Sequence, residues 1–153
     1  MRSRLARGSV PIAILSTALV LAACGGGGGS TTSTASGISK AEFLAKANVI
    51  CAKSSQVIQA AEQQFRTQIT KPSAAQLRQF AALLAPMIEA QISGIKALGA
   101  PAGDSARIDA ITSAAQSGVD RVRRDPAALL NGDPFAKANH LARAYGLTAC
   151  AGG

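Results

Sequence analysis

The chain has 153 residues, with 16 Lys and Arg against 8 Asp and Glu, giving a formal charge of +8. It contains one His, one Tyr, four Phe and no Trp. That length fits one folded domain. Basic residues spread along the chain, without aromatic side chains to stack on bases, exclude a nucleic-acid partner.

Arg2, Arg4 and Arg7 open the chain with no acidic residue, and Val10 to Val20 is apolar except for Ser16 and Thr17. Small Ala22 and Ala23 then precede Cys24. This is the charged start, apolar run and small-residue cleavage site of a secretory signal. The apolar stretch from Val10 to Ala23 is shorter than the ~20 residues of a spanning helix. Taken alone, the segment reads as an ordinary signal peptide or a short anchor. Leu21-Ala22-Ala23-Cys24, however, resembles the lipobox of bacterial lipoproteins, and Gly25 to Gly29 follow it with an accessible chain. The resemblance implies that the Cys24 thiol receives a diacylglyceryl group and that cleavage falls between Ala23 and Cys24. Two acyl chains hold a protein stably at a membrane where one is marginal. Residues 1–23 are then the signal peptide, and residues 24–37 a lipidated cysteine with a flexible Gly/Ser/Thr linker. Residues 38–153 form the helical domain. Loss of the three arginines lowers the formal charge to +5. The expected location is the outer face of the plasma membrane, or the periplasm.

Helical patterning begins at Ile38. Ser39-Lys40-Ala41-Glu42 reads as a capping box, with Ile38 and Phe43 at the staple positions. Phe43, Ala47, Ile50, Cys51, Val57, Ile58, Ala61, Phe65 and Ile69 recur at helical spacing. Lys71-Pro72 ends this helix, and Ser73 to Gln76 offers a second capping box. Leu77, Phe80, Ala81, Leu84, Ile88, Ile92, Ile95 and Leu98 line the next helix. Pro86 should kink it and Gly94 weaken it. Asp104 is a candidate cap for a third helix, with Ile108, Ile111, Ala115, Val119 and Val122 on one face. Asp125-Pro126 starts a short helical turn, and Asp133-Pro134 should repeat the device for a last helix. Phe135, Ala138, Leu141, Ala142 and Tyr145 would form its apolar face, with Gly146 as a left-handed stop. The predicted fold is all-α: a small, mostly antiparallel helical bundle closed by a C-terminal disulfide.

That disulfide is expected between Cys51 and Cys150, the pair left once Cys24 carries lipid, because export favours bridges. Free thiols or a metal pair are the alternatives, but two cysteines and a distant histidine match no zinc spacing. The core must be built largely from alanine, which buries little area per residue, so a covalent staple suits it.

No motif points to catalysis. His140 lies about 200° from Ala138 around the last helix, at ~100° per residue, and so faces away from the core. Asp104, Asp125 and Asp133 read as caps, and Asp109 and Asp120 lie off the apolar stripe. No Glu-x-x-His or Cys-x-x-Cys-His occurs, and the glycine run lacks the Lys-Ser/Thr of a phosphate loop. Arg121, Arg123 and Arg124 complement the third helix's dipole or meet phosphate head groups or an acidic wall polymer.

The lipobox, tether, helical body and terminal cysteine resemble small lipoproteins of high-GC Gram-positive bacteria with no assigned activity. The segments that carry this are Leu21 to Cys24, Ile38 to Cys51, and Asp133 to Cys150. The resemblance implies an address and a helical body, with no catalytic residue, metal or cofactor. The expected function is a non-catalytic, membrane-anchored interaction module with an envelope protein, wall polymer or lipid as partner. The alternative is a carrier for a lipid or other small hydrophobic ligand, held in a cavity near Pro86.

Overall fold

A computed structural model describes residues 37–152. The expectations for the signal peptide, the cleavage site between Ala23 and Cys24, and the Gly/Ser/Thr linker lie outside the described residues, apart from Gly37.

Four α-helices follow one another: α1 (Lys40–Gln68), α2 (Ala74–Ala97), α3 (Ser105–Arg124) and α4 (Ala136–Tyr145). Single 3-10 turns at Pro126–Leu129 and Thr148–Cys150 follow α3 and α4. Short connections make successive helices antiparallel neighbours. α2 packs against both α1 and α3, and α4 packs against α3. The C-terminal 3-10 turn then returns to α1 and closes the bundle.

The helix starts follow the capping logic in part. Ser73 and Gln76 make the full reciprocal box. At α1, Ser39 accepts from the Glu42 N–H at 3.2 Å, but the Glu42 carboxylate turns forward to Lys46 at 2.7 Å instead of back to Ser39. The box is half made because an i,i+4 ion pair competes for the same carboxylate. Asp104 stands at the cap position of α3 without capping it; its carboxylate is engaged elsewhere, as described below. Asp125 does cap its 3-10 turn, accepting from the Ala127 N–H at 3.1 Å.

Asp133-Pro134 repeats the Asp125 hydrogen bond but does not cap α4 itself. Asp133 accepts from the Phe135 N–H at 2.8 Å, which folds residues 133–135 into a turn, and α4 begins only at Ala136. Phe135 is therefore not part of α4's face. Its ring fills the space over Gly118 of α3, where an added β-carbon would overlap the ring and stand 2.9 Å from the Pro134 carbonyl oxygen. Pro86 and Gly94 do not interrupt α2, which runs unbroken through both. Gly94 instead lets α1 approach, with Ile50 Cγ2 at 3.3 Å from where a β-carbon would stand.

The core joins Phe43, Ala47 and Cys51 of α1 to Ile95, Ile108, Ile111 and Ala142. Gly146 ends α4 at φ 104°, a left-handed position. The Leu147 N–H then returns to the Ala142 carbonyl at 2.9 Å, and the Leu147 side chain is fully buried. Cys51 and Cys150 are bonded, with Cα atoms 4.9 Å apart. Beside the bridge, Asn48 clamps the same turn with both ends of its amide. It donates to the Gly146 carbonyl at 3.2 Å and accepts from the Ala149 N–H at 3.0 Å.

Gly118→Ala should lower stability by about 1–3 kcal/mol, the usual cost of overpacking, despite alanine's better helix propensity. Denaturant unfolding measures this, and an unchanged midpoint would contradict the close seating of Phe135 on α3.

Candidate functional site

α1 has 29 residues and α4 has 10. At 1.5 Å per residue these are about 44 Å and 15 Å long. Among the described residues, the backbones of α1 and α4 do not pack against each other. They meet through side chains at one end, where Phe43 and Tyr145 pack edge-on with ring centroids 6.1 Å apart. A groove of about 430 Å³ is lined by residues of both helices, from Ser55 onward on α1.

α2 and α3 form its floor with Leu84, Ile88, Ile92, Ile95, Ile111 and Thr112. Ser55, Ile58, Glu62 and Arg66 of α1 form one wall, and Phe135, Ala138, Asn139 and Ala142 stand in the other. Cys150 closes one end, so the disulfide is part of the wall. Thr112 is the buried polar residue of the floor. Its hydroxyl donates to the Ile108 carbonyl at 3.0 Å, so its polarity is spent within α3. Among the described residues no buried side-chain polar atom lacks a partner. The floor is thus apolar, and the polar groups stand towards the rim: Gln59 and Arg66 are exposed, and Glu62, Gln91 and Asn139 are half-buried. The volume falls in the range of small-molecule pockets, ~300–1,000 Å³, with an apolar floor beneath a polar rim.

The groove places together Cys150 and the apolar residues flanking Pro86, Leu84 and Ile88. It does not gather the titratable residues considered for chemistry. His140 and Asp109 are exposed, and Asp120 accepts from Gln116 at 3.1 Å. Of the arginine cluster, Arg123 reaches across to Glu89 of α2 in a forked pair, Nη2 to Oε2 at 2.8 Å. That guanidinium holds the Glu89 carboxyl below the usual range, chiefly by hydrogen bonding. Arg121 and Arg124 are exposed in the last turn of α3. Among the described residues no three His, Cys, Asp or Glu side chains gather as a metal site, and no helix is long and apolar enough to cross a membrane.

Two features escaped the sequence reading. Asn48 could not be singled out, because its partners are backbone groups about 100 residues away. The second is a polar knot where the starts of α1 and α3 meet the end of α4. The Tyr145 hydroxyl donates to Asp104 Oδ2 at 2.8 Å, Arg107 reaches Oδ1 at 3.4 Å, and Lys40 approaches Oδ2 at 3.9 Å. The Lys40 ammonium also sits 4.5 Å from the Tyr145 ring centroid. The starts of α1 and α3 and the end of α4 are tied there, which is why Asp104 leaves α3 uncapped.

No family model matches the chain, and neither does any curated protein or solved structure.

Burial, with the Asp104 hydrogen bond, pushes the Tyr145 phenol up to about 12. A raised acid pKa means the fold favours the neutral phenol. That stabilisation is complete below pH ~10, the free tyrosine value, and is lost as pH rises through about 12. Tyr145 is the chain's one tyrosine, so phenolate absorbance reports it alone. The titration midpoint should lie well above 10 and move down in Asp104→Ala.

Proposed function

We propose that this chain is an exported lipoprotein whose helical domain binds a lipid or other small hydrophobic molecule, without catalysis, in the groove between α1 and α4. The apolar groove of about 430 Å³ carries the reading. Of the two function classes the sequence leaves open, the carrier is favoured by a site of suitable size and lining. An interaction module needs no such space. A chain sliding over Ile88, Ile92 and Ile111 would displace water from apolar surface, gaining ~25 cal/mol per Å² removed from water. The head of an amphiphile would remain near Gln59, Glu62, Arg66 and Asn139, where polar groups stand ready.

A non-catalytic role accords with the engagement of the acidic side chains. Asp104, Asp125 and Asp133 each hold structural hydrogen bonds, and Glu89 pairs with Arg123. The anchor rests on Leu21 to Cys24 and on the resemblance to small lipoproteins of high-GC Gram-positive bacteria. Cys24 would carry the diacylglyceryl group after cleavage at Ala23.

Ala115 is half-buried on the groove's α3 side, so Ala115→Phe fills space without opening the core. It should weaken binding of an environment-sensitive fluorescent fatty acid tenfold or more while circular dichroism stays unchanged. Val49→Ser, on an exposed part of α1, should leave binding intact. Equal affinities in both variants would remove the groove as the site.

Cys24→Ser should move the protein from the detergent phase to the aqueous phase, and mass spectrometry should find no lipidated N-terminus. A wild-type mature chain starting elsewhere and bearing no lipid sinks the anchor.

A further inference from the structure

The turn that joins α1 to α2 carries a second apolar surface, separate from the ligand groove. Phe65 and Phe80 stack there with centroids 4.5 Å apart and planes 20° from parallel. Ile69 and Leu83 border a shallow hollow of about 280 Å³ beside them. Leu83 is 54% exposed. The stack pins the two helices together, yet it leaves apolar surface facing outward at the tip of the hairpin.

The charges around this tip are of one sign. Between Glu62 and Glu89 the sequence holds no acidic residue, while Arg66, Lys71 and Arg78 fall in that interval. All three are exposed, and among the described residues none forms an ion pair. The contrast with the other end of α1 is sharp: there Lys40 and Arg107 both approach Asp104. Cations left without counter-ions beside exposed apolar side chains match one kind of partner. An anionic lipid surface accepts the ammonium and guanidinium groups at its head groups and the apolar side chains just beneath. A protein partner would call for a more enclosed pocket, and the amides of Gln64, Gln76 and Gln79, which also line this hollow, can hydrogen-bond to lipid head groups.

We propose that the α1–α2 tip is a docking surface for an anionic lipid bilayer, seated by Phe65, Ile69, Phe80 and Leu83 and held by Arg66, Lys71 and Arg78. This does not depend on the ligand reading or on the lipid anchor. Arg66 also stands at the rim of the groove, so a bilayer under the tip lies beside the groove's open side.

The chain has no tryptophan, so a single introduced one reports its own surroundings. The test uses the full chain carrying Cys24→Ser, with its disulfide formed, and adds either Leu83→Trp at the tip or Val49→Trp as control. Val49 is equally exposed and lies about 24 Å up α1 from Phe65 at 1.5 Å per residue. With vesicles containing brominated phosphatidylglycerol, Leu83→Trp should shift to the blue and be quenched, and Val49→Trp should do neither. Vesicles of phosphatidylcholine alone should leave both unchanged. Each charge reversal among Arg66→Glu, Lys71→Glu and Arg78→Glu should weaken vesicle partitioning about fivefold or more. High salt should weaken it as well. The proposal is overturned if Leu83→Trp stays unquenched, if both reporters are quenched alike, or if charge reversal has no effect. A blue shift that grows with protein concentration without vesicles would assign the tip to a second copy of the chain, and would equally overturn it.

Discussion

Cys150 is bonded to a residue 99 positions earlier, and the arrangement of the last helix follows from that bond. α4 has 10 residues, too few to be stable alone, since isolated helices below ~12–15 residues are marginal in water. It is held at both ends, by Phe135 against Gly118 and by the Cys150 turn against α1. The core gives modest help. Ala47, Ala81, Ala85, Ala138 and Ala142 are buried, and each contributes little apolar area. A covalent closure of a loop near 100 residues lowers the entropy of the unfolded chain by about 4.7 kcal/mol in the chain-entropy account. Against the ~5–15 kcal/mol net stability of a domain, that is a large fraction.

The same closure accounts for the groove. It fixes α4's end beside Phe43, Ala47 and Asn48, in the first third of α1. The apolar stripe of α1 does not stop there; Ile58, Ala61 and Phe65 continue it and are only half-buried. A longer α4, or one attached nearer the middle of α1, would cover Ile58 and the isoleucines beneath it. The opening is therefore the outcome of a length mismatch, 29 residues against 10, with the attachment at one end. Continuity of α2 through Pro86 supplies an unbroken floor for it.

Helix positions were legible in the sequence because Ser39, Ser73 and Asp125 are local signals and apolar spacing is local too. The bridge was legible for a chemical reason: the reading of an exported chain puts its two remaining cysteines where disulfides persist. What could not be read depends on choices among competing partners. Glu42 had Ser39 and Lys46 within reach and took Lys46. Asp104 had α3's free N–H groups beside it and took Tyr145, 41 residues away. Gly118 carries no local signal of its role, and only the position of Phe135 shows that a side chain would not fit. The groove was foreseen near Pro86 as a consequence of a broken helix. The structure has instead an open groove on the Leu84 and Ile88 side of an intact α2, also lined by α1 and α4.

The two ends of α1 treat charge in opposite ways, and this bears on how a ligand would reach the groove. At the Lys40 end, charges of both signs lie within 4 Å of one another, and Asp104's carboxylate is 14% exposed. There the Asp104 carboxylate offsets one of the two cations at close range, and the contacts tie the helix ends together. Towards the α1–α2 turn, Arg66, Lys71 and Arg78 form no ion pair among the described residues, and Phe65 stacks on Phe80. The covalent bridge, the Asn48 clamp and the ion-pair knot all lie towards the first end. The less constrained end is also where the groove is rimmed by Arg66 and Glu62. On the proposed carrier reading, a long apolar molecule would enter past Arg66 and Glu62, away from the core that the staple protects.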